Sequence, residues 1–169
     1  GQESVGVAVT SGTEIQVAKR MGLVTGLTSD EKAVDALVGN AAIGHVRYST
    51  TGRSNLGNAQ PMLVSTKRGP IAVAHNGNLV NAPEIRAEME AHGHIFQSTS
   101  DTEVLLHLIA RSREEDLTAA IAESLRRVTG AYCLVFLTRD ALYVARDGFG
   151  FRPLCLGRLD KAWVVASET

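Results

Sequence analysis

Short apolar runs joined by turns of only a few residues are the feature that most constrains how this chain can fold. Val5-Gly6-Val7-Ala8-Val9 and Ile15-Gln16-Val17-Ala18 flank Thr10-Ser11-Gly12-Thr13, and residues 132–137 reach Leu142-Tyr143-Val144-Ala145 through Thr138-Arg139-Asp140. A strand that returns after so short a link runs antiparallel to its predecessor, because a parallel return needs a crossover of about a dozen residues or more. Residues 41–46, 62–64, 71–74 and 162–165 extend the same pattern. Helical periodicity is confined to the middle of the chain. Asn81-Ala82-Pro83-Glu84 opens one helix, with Asn81 as cap, Pro83 in the first turn and Ile85 and Met89 on one face. A second runs from Ser100 to about Arg113. A third carries Leu117, Ile121, Leu125 and Val128 before Gly130 stops it. The pattern predicts one α+β domain over residues 1–169, with antiparallel sheets between helix layers.

Composition excludes several classes of function. A net charge of −1 offers no surface for nucleic acid or anionic membrane, and a mean hydropathy of +0.02 with 21% charged residues describes a water-facing globular chain. Cys133 and Cys155 both sit in apolar, strand-like segments and read as small core hydrophobes rather than a disulfide framework, so a reducing cytoplasm is expected.

Three segments carry candidate chemistry. Ile71-Ala72-Val73-Ala74 leads into His75-Asn76-Gly77-Asn78, which places an Asn-Gly pair at the expected end of a buried strand. The Asn76 amide and the Gly77 N–H are candidate donors of an oxyanion hole, although Asn-Gly alone is also the commonest tight hairpin turn. Arg47 ends the run Ile43-Gly44-His45-Val46 and can grip a carboxylate bidentately. Asp101 opens the second helix, where Ser100 and Glu103 also spell a capping box. An arginine, an acid and paired amide donors together suit an amino acid with a side-chain amide. His45 and His75 are expected to make structural hydrogen bonds. Arg146 and Asp147 are expected to anchor the turn Gly148-Phe149-Gly150 as an ion pair, or to lie under another domain. His92-Gly93-His94 lacks further ligands at metal-site spacing, so no metal is expected there. The loop Tyr48-Ser49-Thr50-Thr51-Gly52 reads as a lid.

Gly44-His45-Val46-Arg47-Tyr48, residues 74–81 and Thr99-Ser100-Asp101-Thr102-Glu103 occur in the order and spacing of class II glutamine amidotransferases, and the chain resembles that family over its whole length. Asn58-Ala59-Gln60-Pro61 and Arg146-Asp147-Gly148-Phe149-Gly150-Phe151-Arg152-Pro153-Leu154 point within it to the branch whose second domain binds phosphoribosylpyrophosphate. The resemblance implies a four-layer α/β/β/α sandwich of the N-terminal-nucleophile hydrolase type. It implies that Arg47 holds the glutamine carboxylate, Asp101 its ammonium, and Asn76 with Gly77 the oxyanion. It also implies a nucleophilic N-terminal cysteine whose own amine is the base, in a first strand and helix of about two dozen residues that the chain is expected to lack. The phosphoribosyltransferase domain, with magnesium at its substrate site, is expected to be missing too. The segment alone is therefore expected to be inactive, while the intact homo-oligomer would pass ammonia to phosphoribosylpyrophosphate and make 5-phosphoribosylamine for purine synthesis. Two alternatives stay open: a domain similar to that of glucosamine-6-phosphate synthase, and a non-catalytic glutamine-binding module.

Overall fold

A computed structural model describes residues 3–48 and 55–168 of the chain. Strands β1 (Ser4–Thr10), β2 (Ile15–Met21) and β3 (Ala41–Arg47) form an antiparallel sheet in the order β2-β1-β3. Strands β4 (Met62–Thr66), β5 (Gly69–Leu79), β6 (Gly130–Leu137) and β7 (Leu142–Arg146) form a second antiparallel sheet in sequence order. The hairpin β8 (Cys155–Leu159) and β9 (Ala162–Ala166) stands apart from both.

Alternation along β5 shows how the layers are stacked. Ile71, Val73 and Leu79 face one side, where they pack with Met89, Leu105, Ile109, Leu134 and Phe136 in the larger core under the helices α3 (Ala82–Ala91), α4 (Asp101–Arg111) and α5 (Leu117–Leu125). Ala72 and Ala74 face the other way and meet Ala8, Ile43 and Leu137 between the two sheets. Small side chains there let the sheets approach closely. The outer face of the first sheet is also covered, since Val5 and Val9 are buried and the short helix α1 (Val24–Thr28) places Leu27 in the interior. With α2 (Glu31–Asp35), this thin outer layer completes the α/β/β/α sandwich. The sequence pattern missed α1 and α2 because five-residue helices are too short to show periodicity.

Three local expectations need correction. The Asn76-Gly77 pair does not end a strand, because β5 continues through it to Leu79 and pairs with β6 along that length. Asn81 precedes α3 without capping it by its side chain. Its amide instead donates to the Arg127 carbonyl at 2.9 Å and accepts from the Thr129 N–H at 2.8 Å, tying the start of α3 to the end of the α5 segment. Ser100 and Glu103 do not form a capping box. Ser100 accepts from the Thr102 N–H at 3.3 Å, whereas the Glu103 carboxylate reaches back to the N–H groups of Gln97 and Ser98, both at 2.7 Å.

Candidate functional site

The two strands that supply most of the site present their polar residues to the gap between the sheets. On β3, Ile43, His45 and Arg47 share the inward face. Asn76 follows Ala72 and Ala74 on the facing side of β5. Asp101 comes from the helix layer, at the first residue of α4, and reaches the edge of β5, where its Oδ2 accepts the Leu79 N–H at 2.9 Å. Arg47, Asn76, Gly77 and Asp101 thereby line one cavity of about 920 Å³, together with His45, His75, Gln60 and Cys133. That volume suits a small-molecule site.

Gly77 is shaped by its neighbours. Its φ is +155°, and a Cβ on it would lie 2.0 Å from the Ala131 carbonyl oxygen, so β6 leaves room only for glycine. The direction of its amide follows from the ladder. Tyr132, opposite Gly77, turns its N–H and carbonyl away from β5 to the Asp147 carboxylate and N–H, at 3.3 and 3.0 Å. Gly77 and Tyr132 are therefore a non-hydrogen-bonded pair, and the Gly77 N–H points off the opposite edge of β5. The edge amides on either side of it are occupied: His75 N–H donates to Gln60 Oε1 at 2.6 Å, and Leu79 N–H donates to Asp101. The Gly77 amide between them faces the cavity beyond the end of β4.

The charged groups sit in a half-dry setting. Arg47 is buried, with Nη1 3.4 Å from Glu3 Oε2. Burial pushes the Asp101 carboxyl up, but hydrogen bonding and charge from His75, with the Leu79 and Thr102 backbone hydrogen bonds, outweigh it and hold Asp101 below the ordinary carboxylate range. It is ionised at neutral pH, as a counter-ion for an ammonium group must be. His75 packs on the α4 side, its Nδ1 3.1 Å from Thr102 Oγ1 and 3.5 Å from Asp101 Oδ1. His45 Nε2 donates to the His75 carbonyl at 3.1 Å, and burial pushes its imidazole down to about 4 despite that bond. Both histidines thus make the structural hydrogen bonds expected of them.

Cys133 pairs with Asn76 across the ladder and is buried on the cavity wall. Its Sγ faces the carbonyls of Arg152 and Pro153 at 3.5 and 3.3 Å, and burial raises its thiol. A neutral thiol donating to carbonyls is a poor nucleophile. Arg146 and Asp147 do anchor the turn after β7, but separately. Arg146 donates to the carbonyls of Arg152 and Gly150 at 2.7 and 2.6 Å, while Asp147 accepts from the N–H groups of Phe149 and Phe151 at 3.1 and 3.3 Å. No ion pair joins them among the described residues. Of the expected lid, residues 48–52, only Tyr48 lies within the described residues; it is exposed and lines the cavity. His92 and His94 diverge, His92 Nδ1 donating to the Glu88 carbonyl at 2.7 Å and His94 facing His107 at 3.2 Å.

Sequence reasoning did not single out Gln60 or Asn58 as part of the site. Neither is a titrating group, and the only signal was that they belong to the Asn58-Ala59-Gln60-Pro61 segment on which the resemblance partly rests.

Asn76, the outward-facing Gly77 amide, Arg47 and an ionised Asp101 thus surround one cavity between two facing antiparallel sheets, a fold and arrangement like those of glutamine amidotransferase domains. The family profile of the glutamine amidotransferase domain matches residues 45–169, and the chain belongs to that family. Among its relatives, the amidophosphoribosyltransferase of Archaeoglobus fulgidus is 46% identical over 171 residues, covering 100% of this chain and 37% of that protein. Amidophosphoribosyltransferase 2, chloroplastic, of Arabidopsis thaliana is 47% identical, covering 100% and 30%. The solved glutamine phosphoribosylpyrophosphate amidotransferase from B. subtilis, complexed with ADP and GMP, superposes with a TM-score of 0.92 at 43% identity over 99% of this chain and 36% of that one. The chain thus matches the glutamine amidotransferase domain of amidophosphoribosyltransferases and spans about a third of the length of such relatives. No helix among the described residues is long and apolar enough to cross a membrane.

Proposed function

We propose that this domain is the glutamine-hydrolysing part of an amidophosphoribosyltransferase, releasing ammonia that a phosphoribosyltransferase domain of the same polypeptide adds to phosphoribosylpyrophosphate. The observation that carries the reading is the convergence of Arg47, Asp101, Asn76 and the outward-facing Gly77 amide on one cavity. Arg47 pairs with the α-carboxylate of glutamine and Asp101 with its α-ammonium, which leaves the side-chain amide carbonyl to the Asn76 Nδ2 and Gly77 N–H donors. The nucleophile is the N-terminal cysteine that the family resemblance implies, supplied from outside residues 1–169. Its sulfur bonds to the amide carbon, the C–N bond breaks, and ammonia leaves with a proton returned by the cysteine's own amine. Water then cleaves the thioester to glutamate. The two amide donors act where negative charge develops on the carbonyl oxygen, so they lower the barrier more than they tighten ground-state binding.

Magnesium belongs to the phosphoribosylpyrophosphate half of the reaction. The described residues hold no group of three carboxylate, histidine or cysteine side chains fit for a metal, so no step here is assigned to that ion. The intact protein is proposed to be a homo-oligomer in a reducing compartment, the cytoplasm.

The deciding experiment is steady-state glutamate release by the full natural chain. Asn76→Ala is expected to lower kcat by about a hundredfold or more while glutamine still binds in isothermal titration. A wild-type rate in that variant would remove the oxyanion assignment, and failure of the wild type to bind glutamine would remove the whole reading.

A further inference from the structure

The 3-10 turn Leu56–Asn58 and the residues after it occupy a crossroads that no catalytic role explains. Asn58 is fully buried, and its amide clamps Thr99 at two points: Nδ2 donates to Thr99 Oγ1 at 2.8 Å, and Oδ1 accepts the Thr99 N–H at 3.0 Å. Thr99 stands two residues before Asp101, so this clamp sets where α4 begins. Two residues further along the chain, the buried Gln60 accepts the His75 N–H at 2.6 Å, immediately before Asn76 and Gly77.

The geometry gives the Gln60 contact its purpose. The β4 ladder stops at the pair Met62 and Val73, and the Gln60 main-chain carbonyl, which would meet the next edge amide in a continued strand, lies against Gly6 of the first sheet instead. From there on β5 would be a bare edge, free to twist or fray. The Gln60 side chain takes the place of the missing strand for one residue and leaves the next edge amide, that of Gly77, uncovered. The same segment is moored to the first sheet. Lys19 Nζ donates to the Ala59 carbonyl at 3.0 Å, and Gly6 lets the Gln60 carbonyl approach so closely that a Cβ there would lie 2.3 Å from it. Residues 58–60 therefore touch the first sheet, the exposed edge of β5 and the entry to α4 at once.

We propose that Asn58 and Gln60 form a positioning brace, in which Asn58 fixes Asp101 for ground-state binding and Gln60 fixes the Asn76-Gly77 donors for the transition state. The proposal rests on the glutaminase reading of the site. It predicts that two residues two positions apart act on different kinetic parameters, a split that general loss of packing does not produce.

The test compares the full natural chain with Gln60→Met, Gln60→Glu, Asn58→Leu and Asn58→Asp. Gln60→Met keeps the volume and removes the acceptor, so kcat for glutamate release is expected to fall about tenfold or more with KM changed less than about threefold. Asn58→Leu is expected to raise KM about tenfold with kcat changed less than about threefold. Gln60→Glu and Asn58→Asp, which keep an acceptor in place, are expected to recover part of each loss. Amide exchange by NMR gives a readout independent of turnover: His75 should exchange faster in Gln60→Met, and Thr99 and Thr102 faster in Asn58→Leu. The brace is overturned if folded variants leave these amides unchanged, or if both variants shift kcat and KM together in proportion to their loss of thermal stability. A wild type that neither binds nor hydrolyses glutamine would sink the functional reading, and the exchange pattern would then decide the brace alone.

Discussion

Gly77 and His45 show how single residues answer to their surroundings. Gly77→Ala adds a methyl at a positive φ, 2.0 Å from the Ala131 carbonyl oxygen, and the paired backbone of β6 has nowhere to move. Its unfolding free energy by urea titration is expected to fall by about 2 kcal/mol or more, whereas Gly148→Ala, which meets nothing within 4 Å, is expected to cost less than about 0.5 kcal/mol. Equal effects would contradict the close approach of β6. His45 makes a prediction in pH. Its folded-state value of about 4 lies below the ordinary 6.5, so the unfolded chain binds the extra proton first as pH falls. Stability is therefore expected to be full above about 6.5 and to be lost on acidification through the window down to about 4, by up to about 3 kcal/mol. His45→Gln should flatten that slope, and an unchanged slope would assign the acid loss elsewhere. Arg47, Asn76, Gly77 and Asp101 were legible as candidates because each is a residue type with a distinctive chemistry at the margin of an apolar run. Gln60 and Asn58 were not, because an uncharged amide in a loop looks the same in sequence whether it meets water or a buried N–H.

At the level of the secondary elements, the entry to α4 is the informative case. The pattern Ser100 with Glu103 predicts reciprocal capping, yet Glu103 is buried and holds Gln97, Ser98 N–H and Ser98 Oγ instead. Replacing Ser100 by Ala removes one 3.3 Å cap contact and is expected to cost about 1 kcal/mol. Glu103→Ala strands the buried Ser98 N–H and the half-buried Gln97 N–H and is expected to cost about 2 to 4 kcal/mol by chemical denaturation. Comparable losses for the two would restore the capping box. The strands were readable from alternation and turn length, and β5 shows where such reading fails. Asn-Gly favours a turn locally, but pairing with β6 on one side and Gln60 on the other draws the segment into an eleven-residue strand. Tertiary pairing overrides a local preference worth only a few tenths of a kcal/mol to about one.

Across the molecule, stability is concentrated in the core beneath α3, α4 and α5, where Leu105, Ile109, Leu134 and Phe136 are fully buried. The β8–β9 hairpin contributes little to it: Leu156, Leu159 and Trp163 are 70, 69 and 66% exposed. Trp163→Ser is accordingly expected to change the unfolding free energy of the 169-residue chain by less than about 0.5 kcal/mol, and a larger loss would mean the hairpin packs on the domain. Periodicity and turn length were enough to predict the antiparallel sheets and the central helices, because those follow from local geometry and from which side chains avoid water. They could not say that two sheets face each other through alanines, nor that a β5 edge left bare beyond the Met62–Val73 pair is finished by a glutamine from one segment and an aspartate from another. Those outcomes depend on contacts between residues at least 15 positions apart in the chain, and such contacts exist only once every layer is in place.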